Sequence, residues 1–130
     1  MANVLIVDDH ADTVELETDL LESAGHQVQT GFNGAEGLRS LRKGRLPDCI
    51  VLDVDMPVLS GPGMAHQMLL HDAGEDKIPI VLVSGRDDLA AVAGRMGTPY
   101  FLTKATPGYA TNLLEILERA LGERRAPAAA

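Results

Sequence analysis

Short apolar runs alternate along this chain with longer segments whose apolar residues recur every three or four positions. Residues 4–7, 49–52, 80–83 and 100–103 form four such runs, each bounded by turn residues. A short run of this kind predicts a strand buried on both faces of a parallel sheet. Residues 27–32 predict a fifth, weaker strand, and because its end carries no charged chemistry we expect it at an edge of the sheet.

The segments between the strands predict about five helices. Asp12 and Glu15 have the spacing of a helix N-terminus, and the first helix is expected to face the core through Leu16, Leu20, Leu21 and Ala24. Asn33 and Glu36 predict the start of the second helix in the same way.

The second half of the chain predicts three further helices. The third follows a loop at residues 56–63, and the fourth covers residues 87–96. The fifth covers residues 109–121, with a core face of Leu113, Leu114, Leu117 and Leu121. Residues 122–130 lack hydrophobic periodicity and are expected to form a disordered tail.

Strictly alternating strands and helices predict an α/β fold in one domain, residues 1–121. Right-handed crossovers give a doubly wound, five-stranded parallel sheet, and the flavodoxin-like strand order 2-1-3-4-5 places the four strongly apolar strands side by side.

Composition narrows the class of function. The chain has 11 basic and 19 acidic residues and a net charge of −8, which repels a nucleic-acid backbone. No stretch approaches the length of a membrane helix and the N-terminus does not resemble a signal peptide, so we expect a cytoplasmic protein. The single Cys49 stands in a predicted buried strand, which favours an inert packed thiol.

The ends of the four apolar strands carry the candidate chemistry. Asp8 and Asp9 follow the first run, Asp53 the second, Ser84 the third and Lys104 the fourth. The carboxyl ends of parallel strands meet at one edge of a sheet, where ligands bind. Clustered carboxylates favour a hard divalent cation, whereas a lysine and a hydroxyl favour a phosphoryl group beside it.

These motifs resemble a response-regulator receiver domain over residues 3–121. The matching features are the Asp8-Asp9 pair, the segment Asp53-Val54-Asp55-Met56-Pro57 followed by Gly61, Ser84 with Gly85, and Gly97 seven residues before Lys104. Their order, spacing and strand context together are far more specific than any one of them.

The resemblance implies a role for each site residue. Asp53 would be the phosphoacceptor, and Asp9, Asp53, water-linked Asp8 and the backbone carbonyl of Asp55 would hold Mg²⁺, with Mn²⁺ as an alternative. Lys104 and Ser84 would contact the phosphoryl oxygens. Such a domain is not a conventional enzyme, because it catalyses only its own phosphorylation and dephosphorylation.

The resemblance also implies a signalling partner on each side. A histidine kinase or histidine phosphotransfer protein would donate the phosphoryl group, and a stand-alone receiver would pass the signal to a protein target. The movement of Ser84 and Phe101 would change the face formed by helix four, strand five and helix five. No nucleic-acid or membrane partner is expected.

Several positions depart from the family pattern. Ala105 follows Lys104 where proline is usual, which leaves open whether that peptide bond is cis or trans. Phe101 replaces a frequent tyrosine. Asp55 and Arg86 each lie two residues beyond a site residue, and we expect them to form an ion pair that tunes the lifetime of the phosphoryl group.

Two other classes fit part of the pattern. Asp53-Val54-Asp55 after a strand also resembles the first motif of a haloacid-dehalogenase-type phosphatase, but there the acidic pair follows the lysine. A phosphorylation-independent interaction domain is the third alternative. Among the histidines, His10 is predicted to lie exposed in a loop beside the acids, and His66 has no metal-ligand spacing.

Overall fold

The computed structural model describes residues 2–43, 46–71, 78–104 and 106–125. In this part of the chain five strands alternate with five helices. The elements are β1 (Asn3–Val7), α1 (Ala11–Ser23), β2 (Gln27–Gly31), α2 (Gly34–Lys43), β3 (Cys49–Asp53), α3 (Gly61–His71), β4 (Ile80–Ser84), α4 (Leu89–Met96), β5 (Tyr100–Thr103) and α5 (Tyr109–Arg125).

The strands form one parallel sheet in the order β2-β1-β3-β4-β5, which confirms the predicted topology. The register sets Val7 beside Leu52, Asp53 beside Val83 and Ser84 beside Thr103. The carboxyl ends of β1, β3, β4 and β5 therefore lie level with one another.

Both faces of the sheet are covered at β1, β3 and β4, which explains why these strands are apolar at consecutive positions. One core cluster joins alternate strand residues to α1 and α5 through Val4, Ile6, Val51, Val83, Leu21, Leu113 and Leu117. The other joins the intervening strand residues to α2, α3 and α4 through Leu5, Leu52, Leu82, Leu38, Met64 and Val92. Full burial of a leucine contributes about 1.5–3 kcal/mol, so these clusters supply much of the driving force for folding.

The predicted cap residue of α1 is wrong, and its predicted core face is confirmed at Leu20 and Leu21 but wrong at Leu16 and Ala24. The helix begins at Ala11 after the N-cap residue His10, and Asp12 lies in its first turn. The buried residues are Val14, Glu17 and Leu21, whereas 58% of Leu16 is exposed. The pattern was shifted because a buried glutamate occupies a core position that an apolar residue would normally mark.

Other helix ends also differ from expectation. α2 begins after Asn33 as predicted, and the Asn33 side chain accepts a 2.9 Å hydrogen bond from the Glu36 amide. α3 begins at Gly61, inside the predicted loop, because Ser60 Oγ accepts a 3.1 Å hydrogen bond from the Gly63 amide and Pro62 is tolerated in a first turn.

α5 continues to Arg125, four residues beyond its predicted end at Leu121. Glutamate and arginine at positions 123–125 favour helix strongly enough to extend it past Gly122. The remainder of the predicted tail, residues 126–130, lies outside the described residues. No helix within the described ranges is both long and apolar enough to cross a membrane.

Candidate functional site

The carboxyl edge of the sheet brings four predicted site residues together. Asp8 follows β1, Asp53 ends β3, Ser84 ends β4 and Lys104 follows β5. The Lys104 amide donates a 2.9 Å hydrogen bond to the carbonyl of Ser84, which ties the last two strand ends to each other. The parallel register thus turns four positions that are distant in sequence into one site.

Lys104 lies between two carboxylates. Its Nζ atom is 2.5 Å from Asp8 Oδ2 and 3.3 Å from Asp53 Oδ1. Burial alone would lower the pKa of Lys104, but the two carboxylates outweigh that effect and raise its pKa above the ordinary value. The lysine therefore remains a cation, and its charge compensates the acids around it.

Asp53 is almost completely buried, with 3% of its surface exposed. Burial and the neighbouring Asp8 carboxylate together raise the pKa of Asp53 to about 6, against the opposing effects of Lys104 and a 3.0 Å hydrogen bond from the Val54 amide. A carboxylate at neutral pH in such surroundings favours a cation or an electrophile as a partner.

The residues at this edge fit a divalent cation. Asp8, Asp9, His10 and Asp53 each offer one ligand atom, and these atoms lie within 4.8 Å of one another. The Oδ1 atom of Asp9 is buried and, among the residues that the structure describes, receives no hydrogen bond. An orphaned carboxylate oxygen beside two more carboxylates is a good ligand for a hard cation, so the set could bind a metal.

Gly61 explains part of the spacing after Asp53. A Cβ atom built on Gly61 would lie 2.1 Å from the carbonyl oxygen of Asp53, so any side chain there would clash with the backbone. The Gly61 amide instead donates a 2.9 Å hydrogen bond to the carbonyl of Val54. The loop before α3 therefore closes tightly on the end of β3 and helps to fix Asp53.

Ser84 is buried, with 3% of its surface exposed, and its Oγ atom accepts a 3.1 Å hydrogen bond from the Arg86 amide. A Cβ atom on the adjacent Gly85 would meet no atom within 4 Å. The Ser84 hydroxyl is thus held by the backbone of the following turn, and there is free space next to it at Gly85.

Arg86 makes the predicted contact with Asp55 and a second contact that the sequence did not reveal. Its Nη1 atom lies 3.0 Å from Asp55 Oδ1, and its Nε and Nη2 atoms lie 2.8 Å and 3.0 Å from the two oxygens of Asp88. Hydrogen bonding to the guanidinium lowers the pKa of Asp88. The expected pair is therefore an exposed triad.

His10 and Phe101 both lie where the sequence placed them. The His10 side chain is 66% exposed, yet its Nδ1 atom lies 3.1 Å from Oδ1 of Asp8 and 3.1 Å from Oδ1 of Asp9. Phe101 is 40% exposed on β5, next to Leu82 in the register. Ala105, whose peptide geometry was left open, lies outside the described residues.

Glu17 is the buried acid that sequence reasoning missed. It is fully buried on α1, and its Oε2 atom accepts a 2.8 Å hydrogen bond from the Tyr109 hydroxyl on α5. Burial raises the pKa of Glu17 to about 7, opposed by the tyrosine hydrogen bond. Burial also raises the pKa of Tyr109. The position of Glu17 between Val14 and Leu21 on one helix face was the available signal.

Comparisons with known proteins identify the family of this chain. Residues 4–118 match the family model described as the response regulator receiver domain. Protein PilH of Pseudomonas aeruginosa is 38% identical over 106 residues, which are 80% of this chain and 86% of that protein. The transcriptional regulatory protein PrrA of Mycobacterium tuberculosis is 37% identical over 86 residues, which are 66% of this chain and 35% of PrrA.

Solved structures give the same result. The signal receiver domain of a signal transduction histidine kinase from Syntrophus aciditrophicus superposes with a TM-score of 0.82 at 28% identity, covering 100% of this chain and 98% of that one. The chemotaxis response regulator CheY4 of Vibrio cholerae has a TM-score of 0.80 at 28% identity, with 92% and 98% covered. The sequence match, the strand order and the edge of the sheet lead to one assignment: the chain belongs to the response regulator receiver domains of two-component signalling.

Proposed function

We propose that this domain accepts a phosphoryl group on Asp53 from a histidine kinase or a histidine phosphotransfer protein. The observation that carries the proposal is the buried Asp53 carboxylate with Lys104 Nζ 3.3 Å away and the Asp8, Asp9 and His10 ligand atoms nearby. A buried carboxylate beside other acids is costly to the folded state, which favours a functional role for Asp53 over a structural one.

In the transfer, one oxygen of the Asp53 carboxylate attacks the phosphorus of a phosphohistidine. The O–P bond forms as the P–N bond breaks, and the imidazole nitrogen leaves with the electron pair of that bond. Asp53 must be ionised for this attack, and a pKa of about 6 leaves most of it ionised above pH 7. The resulting acyl phosphate is the signalling state.

The surrounding residues position and neutralise charge. Bound Mg²⁺ or Mn²⁺, held by Asp8, Asp9, Asp53 and the backbone carbonyl of Asp55, would neutralise the incoming phosphoryl oxygens. Lys104 would exchange part of its contact with Asp8 for a phosphoryl oxygen, and Ser84 would donate its hydroxyl to another. The domain promotes only its own phosphorylation and dephosphorylation.

The output surface in this proposal consists of α4, β5 and α5. Ser84 ends the strand that leads into α4, and its movement toward a phosphoryl oxygen would pull the Arg86 turn with it, because the two residues share a 3.1 Å hydrogen bond. Phe101, 40% exposed on β5, would respond on the same surface. We expect the partner to be a protein and the exchange to take place in the cytoplasm.

Membership in the receiver family decides against the haloacid-dehalogenase-type alternative. The phosphorylation-independent interaction domain is separated from our proposal by a labelling experiment. Incubation with acetyl phosphate and Mg²⁺ should add one phosphoryl group to the intact mass, and chelation of Mg²⁺ or Asp53→Asn should prevent it. A wild-type mass that stays unchanged with Mg²⁺ present would favour the interaction domain.

A further inference from the structure

His10 places an imidazole nitrogen against the proposed cation site. Its Nδ1 atom lies 3.1 Å from Asp8 Oδ1 and 3.1 Å from Asp9 Oδ1, and it belongs to the group of ligand atoms within 4.8 Å of one another. Asp9 Oδ1 nonetheless accepts no hydrogen bond in the described part of the chain. The imidazole is close to this oxygen without satisfying it.

The contact with Asp8 Oδ1 is a hydrogen bond, and both separations also equal those between neighbouring ligands around one ion. Adjacent ligand atoms in an octahedron with bonds of about 2.1 Å are about 3.0 Å apart. The two 3.1 Å distances from His10 Nδ1 therefore match two edges of such an octahedron. A cation bound between the nitrogen and Asp9 Oδ1 would provide a partner for that orphaned oxygen.

The backbone around His10 supports the same orientation. His10 is the N-cap residue of α1, but within the described residues its side chain forms no capping hydrogen bond. Its amide donates a 2.9 Å hydrogen bond to Asp8 Oδ1, which draws the residue toward the acids. The helix does not need the imidazole, whose Nδ1 atom instead shares a 3.1 Å hydrogen bond with Asp8 Oδ1.

We propose that His10 Nδ1 is an additional ligand in this metal site and that it shifts the preference of the site from Mg²⁺ toward divalent transition metals such as Mn²⁺, Co²⁺ and Zn²⁺. Imidazole nitrogen binds these ions well, whereas Mg²⁺ prefers oxygen ligands. Metal binding would replace the hydrogen bond between Nδ1 and Asp8 Oδ1, because the tautomer with its proton on Nε2 presents the required lone pair at Nδ1. This inference rests on the acidic site of the proposed function and assigns its metal selectivity to one residue.

Calorimetric titration of Co²⁺ and of Mg²⁺ into the whole chain at one fixed pH tests the assignment. His10→Ala should weaken Co²⁺ binding at least about tenfold and change Mg²⁺ binding less than about twofold. His66→Ala, which removes another exposed histidine, on α3, is the matched control and should change neither affinity. The visible absorption of bound Co²⁺ should also change in His10→Ala alone.

The outcomes separate the two proposals. Unchanged Co²⁺ affinity and absorption in His10→Ala would overturn the role of His10, even if Mg²⁺ binds and Asp53 is phosphorylated. Equal losses of Co²⁺ and Mg²⁺ affinity would overturn the selectivity. Failure of the wild type to bind either ion would overturn this inference and would also remove the metal from the proposed function.

Discussion

Glu17 on α1 and Tyr109 on α5 join two helices through a 2.8 Å hydrogen bond beneath the functional edge of the sheet. Glu17 is fully buried, and its second oxygen, Oε1, receives no hydrogen bond from the described residues. Such a carboxyl group is more stable protonated than ionised, which accounts for the raised pKa of about 7.

The raised pKa of Glu17 predicts that stability falls as the pH rises. Between pH 4.5, the ordinary value, and about pH 7, the folded state keeps a proton that the unfolded state loses. The contribution is therefore fully present below pH 4.5 and lost by about pH 7, with a total of about 3 kcal/mol. Urea unfolding at several pH values should show this decline in the wild type and a smaller decline in Glu17→Gln. Identical pH profiles for the two proteins would contradict it.

Tyr109→Phe should be destabilising near pH 8, because it removes the hydrogen bond to Glu17 and leaves a buried carboxylate without that partner. The expected cost is about 1–3 kcal/mol in the free energy of unfolding. Combining it with Glu17→Leu should restore most of this loss, since replacing both polar groups by apolar ones of similar size avoids the burial penalty. A double variant that is less stable than Tyr109→Phe alone would show that the pair itself is stabilising.

Replacing Val58, in the loop before α3, should stabilise the protein. Its φ is 69°, a left-handed conformation that is costly for a β-branched residue, and 82% of its surface is exposed. Relief of about 1–2 kcal/mol of strain should exceed the entropic cost of glycine, about 0.5–1 kcal/mol, so Val58→Gly should raise the melting temperature. Leu46→Gly, at an exposed loop residue without positive φ, is the control and should lower it. A lower melting temperature in Val58→Gly would show that the backbone at Val58 is not strained.

Arg86 is expected to prolong phosphorylation by covering the open side of the site. Arg86→Ala should therefore accelerate loss of the phosphoryl group, measured as the decay of the phosphorylated mass. Its effect and that of Asp55→Ala should not simply add, because the residues share one contact. Since Asp88 also holds the guanidinium through two hydrogen bonds, Asp55→Ala alone should have a smaller effect than Arg86→Ala. Equal decay rates in all variants would show that these are simply solvated charges.

The sequence predicts the centre of the sheet well because β1, β3 and β4 are uninterrupted apolar runs, and burial on both faces leaves little ambiguity. It also predicts the convergence of Asp8, Asp53, Ser84 and Lys104, since parallel strands bring their ends to one edge. The buried face of a helix is harder to predict from the sequence. From the sequence alone, Glu17 is predicted to lie on the surface, because its hydrogen-bond partner Tyr109 is 92 residues away.

The sequence also does not show which of several nearby carboxylates a basic side chain contacts. The Asp55–Arg86 contact follows from the placement of two neighbouring loops, but the stronger hold of Asp88 on Arg86 depends on the shape of one turn. The same is true of His10, whose exposure is predictable from its loop, whereas its two 3.1 Å approaches to carboxylates depend on the backbone at the start of α1.

Asp53 itself is proposed to carry the phosphoryl group, and chemical mapping can identify the modified residue. After incubation with acetyl phosphate and Mg²⁺, borohydride reduces an aspartyl phosphate to homoserine, which peptide mass spectrometry can locate. We predict homoserine at position 53 in the wild type and in Asp55→Asn, and none in Asp53→Asn. Homoserine at position 8, 9 or 55, or its absence from a wild-type protein that has bound Mg²⁺, would contradict the account.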